Sequence, residues 1–214
     1  MFRTTLLVAS LALAGYASAA WLTHDFQVWT AEGARRLEVA LEPIATPAVR
    51  IDGPGIDAQP LAQLLADGES VTLVDFIYTR CQTVCLALGS VYQQMQGRLQ
   101  AARKVDARAG HVKLLSISFD GQYDSPQILR DYARRLGADP DVWRFARVLD
   151  AWENQRLLAD FQVVVVPDGH GDSEHNAALL VVDSRGRLVR IFDYAEQQLA
   201  LNYARDLAGA AVSP

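Results

Sequence analysis

The feature that most constrains the fold is the stretch 71–95, VTLVDFIYTRCQTVCLALGSVYQQM. It opens on a nearly unbroken run of β-branched, aromatic and aliphatic residues from Val71 to Tyr78, which is typical of a strand covered on both faces. Apolar residues then recur at three- and four-residue steps through Met95, the period of an amphipathic helix. We therefore predict a buried strand that leads into a helix, as at the centre of an α/β sheet.

The two cysteines of the chain, Cys81 and Cys85, lie at this junction. Ligands of open α/β sheets gather at the carboxyl ends of strands, and a helix N-terminus stabilises a thiolate. Four residues apart, the cysteines face the same way on a helical turn, whereas a looser loop would let them form a disulfide. Two thiolates also suit Cu(I), or zinc if further ligands join. Redox chemistry, metal binding and alternation between them all stay open.

The composition bounds the class of protein. With 214 residues, half of them apolar, the chain is long enough for one well-cored domain. A net charge of −5 and a pI of about 5.3 give no basic footprint, so we expect no nucleic-acid partner. The even number of cysteines is compatible with an oxidising compartment.

The N-terminal residues 1–22 predict export. Arg3 precedes the uncharged run 6–22, which is short for a membrane span of roughly 20 residues. Residues 17–19, Ala-Ser-Ala, have the form of a signal-peptidase site. A cleaved signal and an uncleaved anchor are the two main interpretations, and a buried core helix is the third. The first two place the rest of the chain in the periplasm or an equivalent space, soluble or anchored at the inner membrane.

The remaining pattern predicts a thioredoxin-like α/β fold, a central mixed sheet flanked by helices over residues 48–214. The predicted elements are strands at 111–119 and 143–149, helices at 124–136, 153–161 and 195–207, and a hairpin of 177–182 with 188–192 around 183–186. The early βαβ units imply parallel pairing, and the hairpin implies an antiparallel edge. Residues 23–47 are predicted to be a membrane-proximal linker with a short helix that Thr30 caps.

Three pieces of sequence carry a family resemblance. Residues 76–85, FIYTRCQTVC, match the pattern F-x-[FY]-T-x-C-x-x-x-C, and residues 118–120 and 124–126 correspond to S-V-D-P and D-T-P. His175 stands ahead of an apolar strand and the D-x-x-G turn that begins at Asp183. Over 48–207 the chain resembles the Sco (SenC) family, membrane-associated copper-binding proteins that help to assemble the binuclear copper centre of cytochrome c oxidase.

The resemblance implies a copper metallochaperone. Cys81, Cys85 and His175 would hold one copper ion, Cu(I) or Cu(II), and hand it to an apo copper-protein acceptor, with cytochrome c oxidase subunit II as the expected acceptor. The chain departs from the family by having Gln82 and Leu86 where proline usually follows each cysteine. It also has Ser-Glu at 173–174, where the family usually has Val-Asp.

Other functions stay open, and with them the question whether the chain is an enzyme. An extracytoplasmic thiol–disulfide oxidoreductase would use Cys81 and Cys85 as a redox couple to reduce the cysteines of an acceptor. The C-x-x-x-C spacing argues mildly against it, and this function leaves His175 without a role. A copper or redox sensor would need a contact surface that the sequence does not identify, and a peroxidase would need a single activated cysteine.

The other histidines are weaker ligand candidates. His170 shares the polar loop of His175 and is an alternative ligand, whereas His24 borders the apolar N-terminal run and His111 begins a predicted strand.

Four further residues have secondary roles in this interpretation. Asp120 could orient a copper ligand from the neighbouring strand, or simply end that strand. Asp124 is a helix-cap candidate beside Ser125, Arg80 could lower the pKa of a neighbouring thiol, and Tyr78 could form a wall of the site.

Overall fold

The structure, a computed structural model, describes residues 2–23, 25–80, 84–167, 173–176 and 178–212. The helices in these ranges are α1 (Phe2–Leu22), α2 (Ala31–Leu41), α3 (Leu61–Leu65), α4 (Val84–Ala102), α5 (Pro126–Arg135), α6 (Ala151–Asp160) and α7 (Gln197–Val212). The strands are β1 (Ile44–Ala45), β2 (Arg50–Gly53), β3 (Ile56–Pro60), β4 (Val71–Ile77), β5 (Val112–Ser118), β6 (Trp143–Val148), β7 (Val165–Pro167), β8 (Ser173–His175), β9 (Ala178–Val182) and β10 (Arg187–Asp193).

The central sheet is mixed, as the sequence predicts. Its strand order is β1-β10-β9-β4-β5-β6-β2-β3, and β7 and β8 form a separate two-stranded sheet. Strand β4 pairs in parallel with β5, and β5 pairs in parallel with β6. The hairpin β9–β10 is antiparallel and joins the sheet through β9, which pairs with β4. The predicted thioredoxin-like α/β architecture is confirmed.

Strand β4 is the buried centre that its sequence predicts. All seven of its residues are buried, and its apolar side chains divide between two hydrophobic clusters, one on each face of the sheet. One cluster contains Leu73 and Ile77, and it also contains Leu88, Tyr92 and Met95 from the apolar stripe of α4. The other face of the sheet packs against α3 and α6. The strand-to-helix junction therefore sits between two layers of helices.

A second antiparallel flank goes beyond the sequence prediction. Strand β2 pairs with both β3 and β6. Gly55 turns the hairpin with a φ of 70°, a backbone conformation that favours glycine. A Cβ at Gly53 would lie 2.2 Å from the carbonyl oxygen of Phe145, so glycine is needed where these strands approach.

Residues of the predicted 23–47 linker contact the sheet. The Thr30 side chain caps α2 by accepting a hydrogen bond from the Gly33 N–H at 3.0 Å, as predicted. Val39 of α2 is buried in the core, and β1 pairs with β10. Arg36 forms ion pairs with Asp193 and Glu196 next to the end of β10. The boundary at 47/48 stays a prediction.

Helix α1 has no buried residue, and it is long and apolar enough to cross a membrane. A signal sequence near an N-terminus meets the same criteria, so both main interpretations of residues 1–22 stay predictions.

The structure differs from the sequence predictions near two of the histidines. His111 ends a 3₁₀ helix (Ala107–His111) instead of opening the strand, which begins at Val112. Strand β8 forms within the predicted polar loop.

Candidate functional site

The cysteines flank the connection between β4 and α4. Strand β4 ends at Ile77 and α4 begins at Val84, so the backbone of Cys85 lies in the first turn of the helix, where the sequence places it. Cys81 lies outside the described residues, as do Gln82, His24 and His170. The side chains of Cys85 and Leu86 are also outside the description. In the rest of the chain, no three His, Cys, Asp or Glu side chains converge on a metal position.

His175 is the last residue of β8, and its backbone pairs with Val165 of β7. Its side chain lies outside the description. The next residue, Asn176, donates to the Gln162 carbonyl at 3.1 Å and accepts from the Val164 N–H at 2.8 Å. These bonds hold the end of β8 against the segment that follows α6.

A cavity of about 650 Å³ lies between the end of β4, which leads to the cysteines, and the β7–β8 sheet, which contains His175. Tyr78 and Arg80, which precede Cys81, line it together with Val165, the pairing partner of His175. Tyr78 is buried, and its ring lies 5.0 Å from that of Phe119 in the same cavity wall. The structure therefore brings the residues just before Cys81 and the strand paired with His175 to one cavity.

Asp124 is the residue near the site whose role sequence reasoning missed. Its side chain is fully buried, and its carboxylate accepts hydrogen bonds from the Thr79 N–H at 3.0 Å, the Ser118 hydroxyl at 2.5 Å and the Thr79 hydroxyl. Ser125 is the helix cap, accepting from the Ile128 N–H. Ser125 is the cap, so the Asp124 carboxylate is free of that role and points into the protein. Its hydrogen bonds join Ser118, the last residue of β5, to Thr79, which follows β4 and lies two residues before Cys81. Asp124 and Ser125 are both residue types that cap helices, and only one of them can cap α5. That pair is the sequence signal from which another role for the second residue could have been predicted.

Arg80 and Asp120 pair with each other. The Arg80 Nη2 lies 2.5 Å from the Asp120 Oδ2, and the guanidinium carbon lies 4.3 Å from the ring centroid of Tyr123. Both side chains are partly exposed at the cavity. The roles predicted for them toward the cysteines stay predictions, and each charge has the other as its immediate partner.

A second buried carboxyl lies deeper in the sheet. Burial raises the pKa of Asp75 on β4 to about 7, and a hydrogen bond with Ser116 opposes that rise only partly. The same burial, and then the Asp75 charge, raises the pKa of Tyr92 on α4. Neither the Asp75 Oδ1 nor the Tyr92 hydroxyl has a hydrogen-bond partner among the described residues.

The fold has counterparts in known proteins. The chain is 27% identical over 128 residues to a SCO1 protein homolog of Bacillus subtilis, a match that covers 59% of this chain and 63% of that protein, less than two thirds of its length. The solved structure of BsSco superposes with a TM-score of 0.65 at 20% identity, covering 78% of this chain and 95% of that one. BsSco is described as a member of the Sco family of cytochrome c oxidase assembly proteins with a disulfide switch.

A structure with copper also matches. ScoI of Bradyrhizobium japonicum, solved with copper bound, has a TM-score of 0.59 at 24% identity, covering 77% of this chain and 99% of that one. These likenesses are at the level of the fold. The family model described as SCO1/SenC matches residues 59–209, which contain the β4–α4 junction, the cavity and β8. The chain belongs to the SCO1/SenC family.

Proposed function

We propose that this chain binds one copper ion through Cys81, Cys85 and His175 and delivers it to an apo copper protein during assembly of the binuclear copper centre of cytochrome c oxidase. The observation that carries the proposal is the shared cavity, which is bordered by the residues before Cys81 and by the strand paired with His175. Membership of the SCO1/SenC family supports it, as does the copper bound to the related ScoI protein.

The donor set suits copper as a cargo. Two thiolates favour Cu(I), and an imidazole can bind either Cu(I) or Cu(II). The first turn of α4 stabilises negative charge on Cys85, which favours the thiolate needed for binding. Asp124 holds Thr79, so the chain enters the cysteine loop from a fixed point. An acceptor can then take copper by replacing these ligands one at a time, without a free ion.

The expected acceptor is cytochrome c oxidase subunit II, and the expected location is the periplasmic side of the inner membrane. Helix α1 would anchor the chain there if it is retained, or direct its export if it is removed. In either case residues 48–214 would form the copper-binding domain, and residues 23–47, whose α2 and β1 pack on the sheet, would connect it to α1.

Thiol–disulfide exchange is the alternative function. Cys85 in the first turn of a helix favours it, and so does the disulfide switch of the related BsSco. In this reaction Cys81 and Cys85 lose two electrons and two protons and form a disulfide. The acceptor disulfide gains both and becomes two thiols, ready for metallation.

The first test is an anaerobic copper titration of the reduced full-length chain in neutral-lipid nanodiscs. We expect one tight equivalent of Cu(I), and at least a tenfold loss of affinity in each of the variants Cys81→Ser, Cys85→Ser and His175→Ala. His111→Ala is the matched control, because His111 lies beside the amino end of β5, the opposite end of the sheet from the cysteine loop. Unchanged affinity in His175→Ala would eliminate the three-ligand site.

A second measurement separates the two functions. If the wild-type chain binds no copper tightly but reduces the disulfide of an acceptor peptide with multiple turnovers, thiol–disulfide exchange is the better assignment. If copper binds tightly and that turnover is absent, the metallochaperone assignment holds.

A further inference from the structure

A second cavity, of about 400 Å³, lies at the opposite end of the parallel strands. It is lined by residues at the amino ends of β4 and β5, and near the start of β6. Leu64 and Leu65 of α3 and Gly55 of the β2–β3 turn also line it. The cysteine loop follows the carboxyl end of β4, so this cavity is separate from the proposed copper site.

The face of the sheet that lines this cavity carries polar side chains at its end, although the rest of that face is apolar. Thr72 and Lys113 lie opposite each other on β4 and β5, and Arg144 on β6 lies on the same face of the sheet. The next residues on that face, including Val74 and Leu115, are buried in the hydrophobic core. The hydrophobic face therefore ends in one hydroxyl and two cations around a partly enclosed space.

The two cations have few protein partners. Lys113 donates to the Asp141 carbonyl at 2.9 Å, and Arg144 donates to the Gly55 carbonyl at 3.4 Å. Neither forms an ion pair with any residue that the structure describes. Burial lowers the pKa of both side chains. The charges of Arg103 and Arg144 lower the pKa of Lys113 further, and the charges of Asp141 and Asp67 oppose that shift only partly. These positive charges are thus partly desolvated without a direct counter-charge.

Two carboxylates, Asp67 and Asp141, also line the cavity and act on Lys113 through space, but among the described residues neither forms an ion pair with Lys113 or Arg144. The Oδ1 of Asp67 accepts hydrogen bonds from the Glu69 and Ser70 N–H groups, so its direct partners lie in the backbone of its own turn. Asp141 is exposed to solvent at the rim. Two neighbouring cations that are partly desolvated and lack an ion-pair partner favour the binding of an anion between them.

We propose that this cavity binds a small organic anion. A carboxylate or phosphate group pairs with Lys113 and Arg144 and is hydrogen-bonded by Thr72, and a short carbon skeleton packs against Leu64 and Leu65. The volume is within the range of roughly 300 to 1,000 Å³ that is usual for ligand sites. The guanidinium suits an anionic group with two acceptor oxygens.

The anion is a soluble molecule and not a lipid headgroup. Helix α1 connects to the sheet through α2 and β1, and β1 is the edge strand on one side. The cavity lies under β4, β5 and β6 and against the β2–β3 turn, toward the other edge. If α1 is retained as an anchor, it therefore joins the domain several strands away from the cavity.

The test is equilibrium dialysis of labelled succinate, and separately of labelled inorganic phosphate, against the full-length chain in phosphatidylcholine nanodiscs. Neutral lipid is used so that the membrane supplies no competing anionic headgroup. We expect saturable binding of one equivalent of at least one of these anions. Excess succinamide, which has the size of succinate without its charge, should not displace it.

Variants locate the binding. The double variant Lys113→Gln/Arg144→Gln should weaken binding at least tenfold, and Arg144→Gln alone should weaken it severalfold. Arg98→Gln/Lys104→Gln removes the same charge from α4 and the turn that follows it, and should leave binding unchanged. The single Arg144 variant keeps the test valid if the double variant fails to fold.

Three results would overturn the proposal. They are the absence of saturable binding of either anion, equal loss of binding in the α4 control, and displacement by succinamide. Copper binding by the Lys113 and Arg144 variants should match the wild type, because these residues lie at the other end of the sheet. The two proposals can thus fail independently.

Discussion

Asp75, on β4, and Asp124, in the connection between β5 and α5, are both buried acidic side chains, yet their surroundings differ. Asp124 accepts hydrogen bonds from a backbone N–H and two hydroxyls. Asp75 has Ser116 as its side-chain partner and retains an oxygen without a partner among the described residues. Burial then raises the pKa of Asp75 to about 7.

The difference shows that burial alone does not determine what a carboxyl does. Donors that converge on Asp124 make it a link between the ends of β4 and β5, where the cysteine loop begins. Asp75 lies in the middle of β4, where the strand ladder uses the backbone N–H groups and leaves few donors for a side chain. The Asp124 carboxylate thus stabilises the fold through hydrogen bonds, whereas the Asp75 carboxyl makes the free energy of unfolding depend on pH.

The largest expected effect is the pH dependence due to Asp75. A carboxyl whose pKa is raised in the folded state holds its proton there more tightly than in the unfolded chain, so it stabilises the fold at low pH. This contribution is complete below about pH 4, the pKa of an unfolded aspartate, and is lost as the pH rises to about 7. It amounts to about 4 kcal/mol in the free energy of unfolding, at about 1.4 kcal/mol per pKa unit. Asp75→Asn should remove this slope.

The measurement is urea unfolding of the full-length chain in mild detergent at pH 4 and pH 8. The control is Asp57→Asn, which changes an exposed carboxyl on β3 and should keep the wild-type difference between the two pH values. If Asp75→Asn has the wild-type slope, another group is responsible for the pH dependence.

Loss of the Asp124 carboxylate should have the next largest effect. Asp124→Ala leaves the Thr79 N–H and two hydroxyls without their acceptor, and we expect a loss of about 3 kcal/mol in unfolding free energy. The matched control is Ser125→Ala, which removes the neighbouring helix cap and should cost about 1 kcal/mol. Urea unfolding at pH 7 measures both. Equal losses of unfolding free energy in the two variants would mean that Asp124 contributes no more to stability than a helix-capping residue.

Removal of the Tyr92 hydroxyl should have the smallest effect, of opposite sign. The hydroxyl is buried without a partner among the described residues, so Tyr92→Phe should raise the unfolding free energy by about 1 kcal/mol. Thermal unfolding beside Tyr194→Phe, which alters a partly exposed ring, provides the comparison. A stability loss in Tyr92→Phe would show that the hydroxyl is satisfied in solution.

Much of the fold could be predicted from local patterns. The apolar run of β4, the helical spacing of α4 and the turn residues between β9 and β10 each lie within one short segment, so their physical preferences are visible in sequence. Contacts that join distant segments are not visible in this way. The pairing of β2 with β6 and the packing of α2 on β10 both depend on surfaces made by other parts of the chain.

The same distinction between local patterns and contacts of distant segments applies to the candidate site. The residue types and spacing of Cys81 and Cys85, and the position of His175 ahead of the hairpin, identify chemistry that suits copper. The approach of β7 to the residues before Cys81 is a tertiary contact, and no local pattern predicts that they share a cavity.

The sequence by itself determined the buried strand, the helix that follows it, the resemblance to the Sco family and the candidate copper ligands. These are properties of residue type and periodicity within single segments. Only the tertiary structure decided that Asp124 binds Thr79, 45 residues earlier in the chain, and that Lys113 and Arg144 line one cavity. Such contacts depend on which strands become neighbours, and that is set by the free energy of the whole packed sheet.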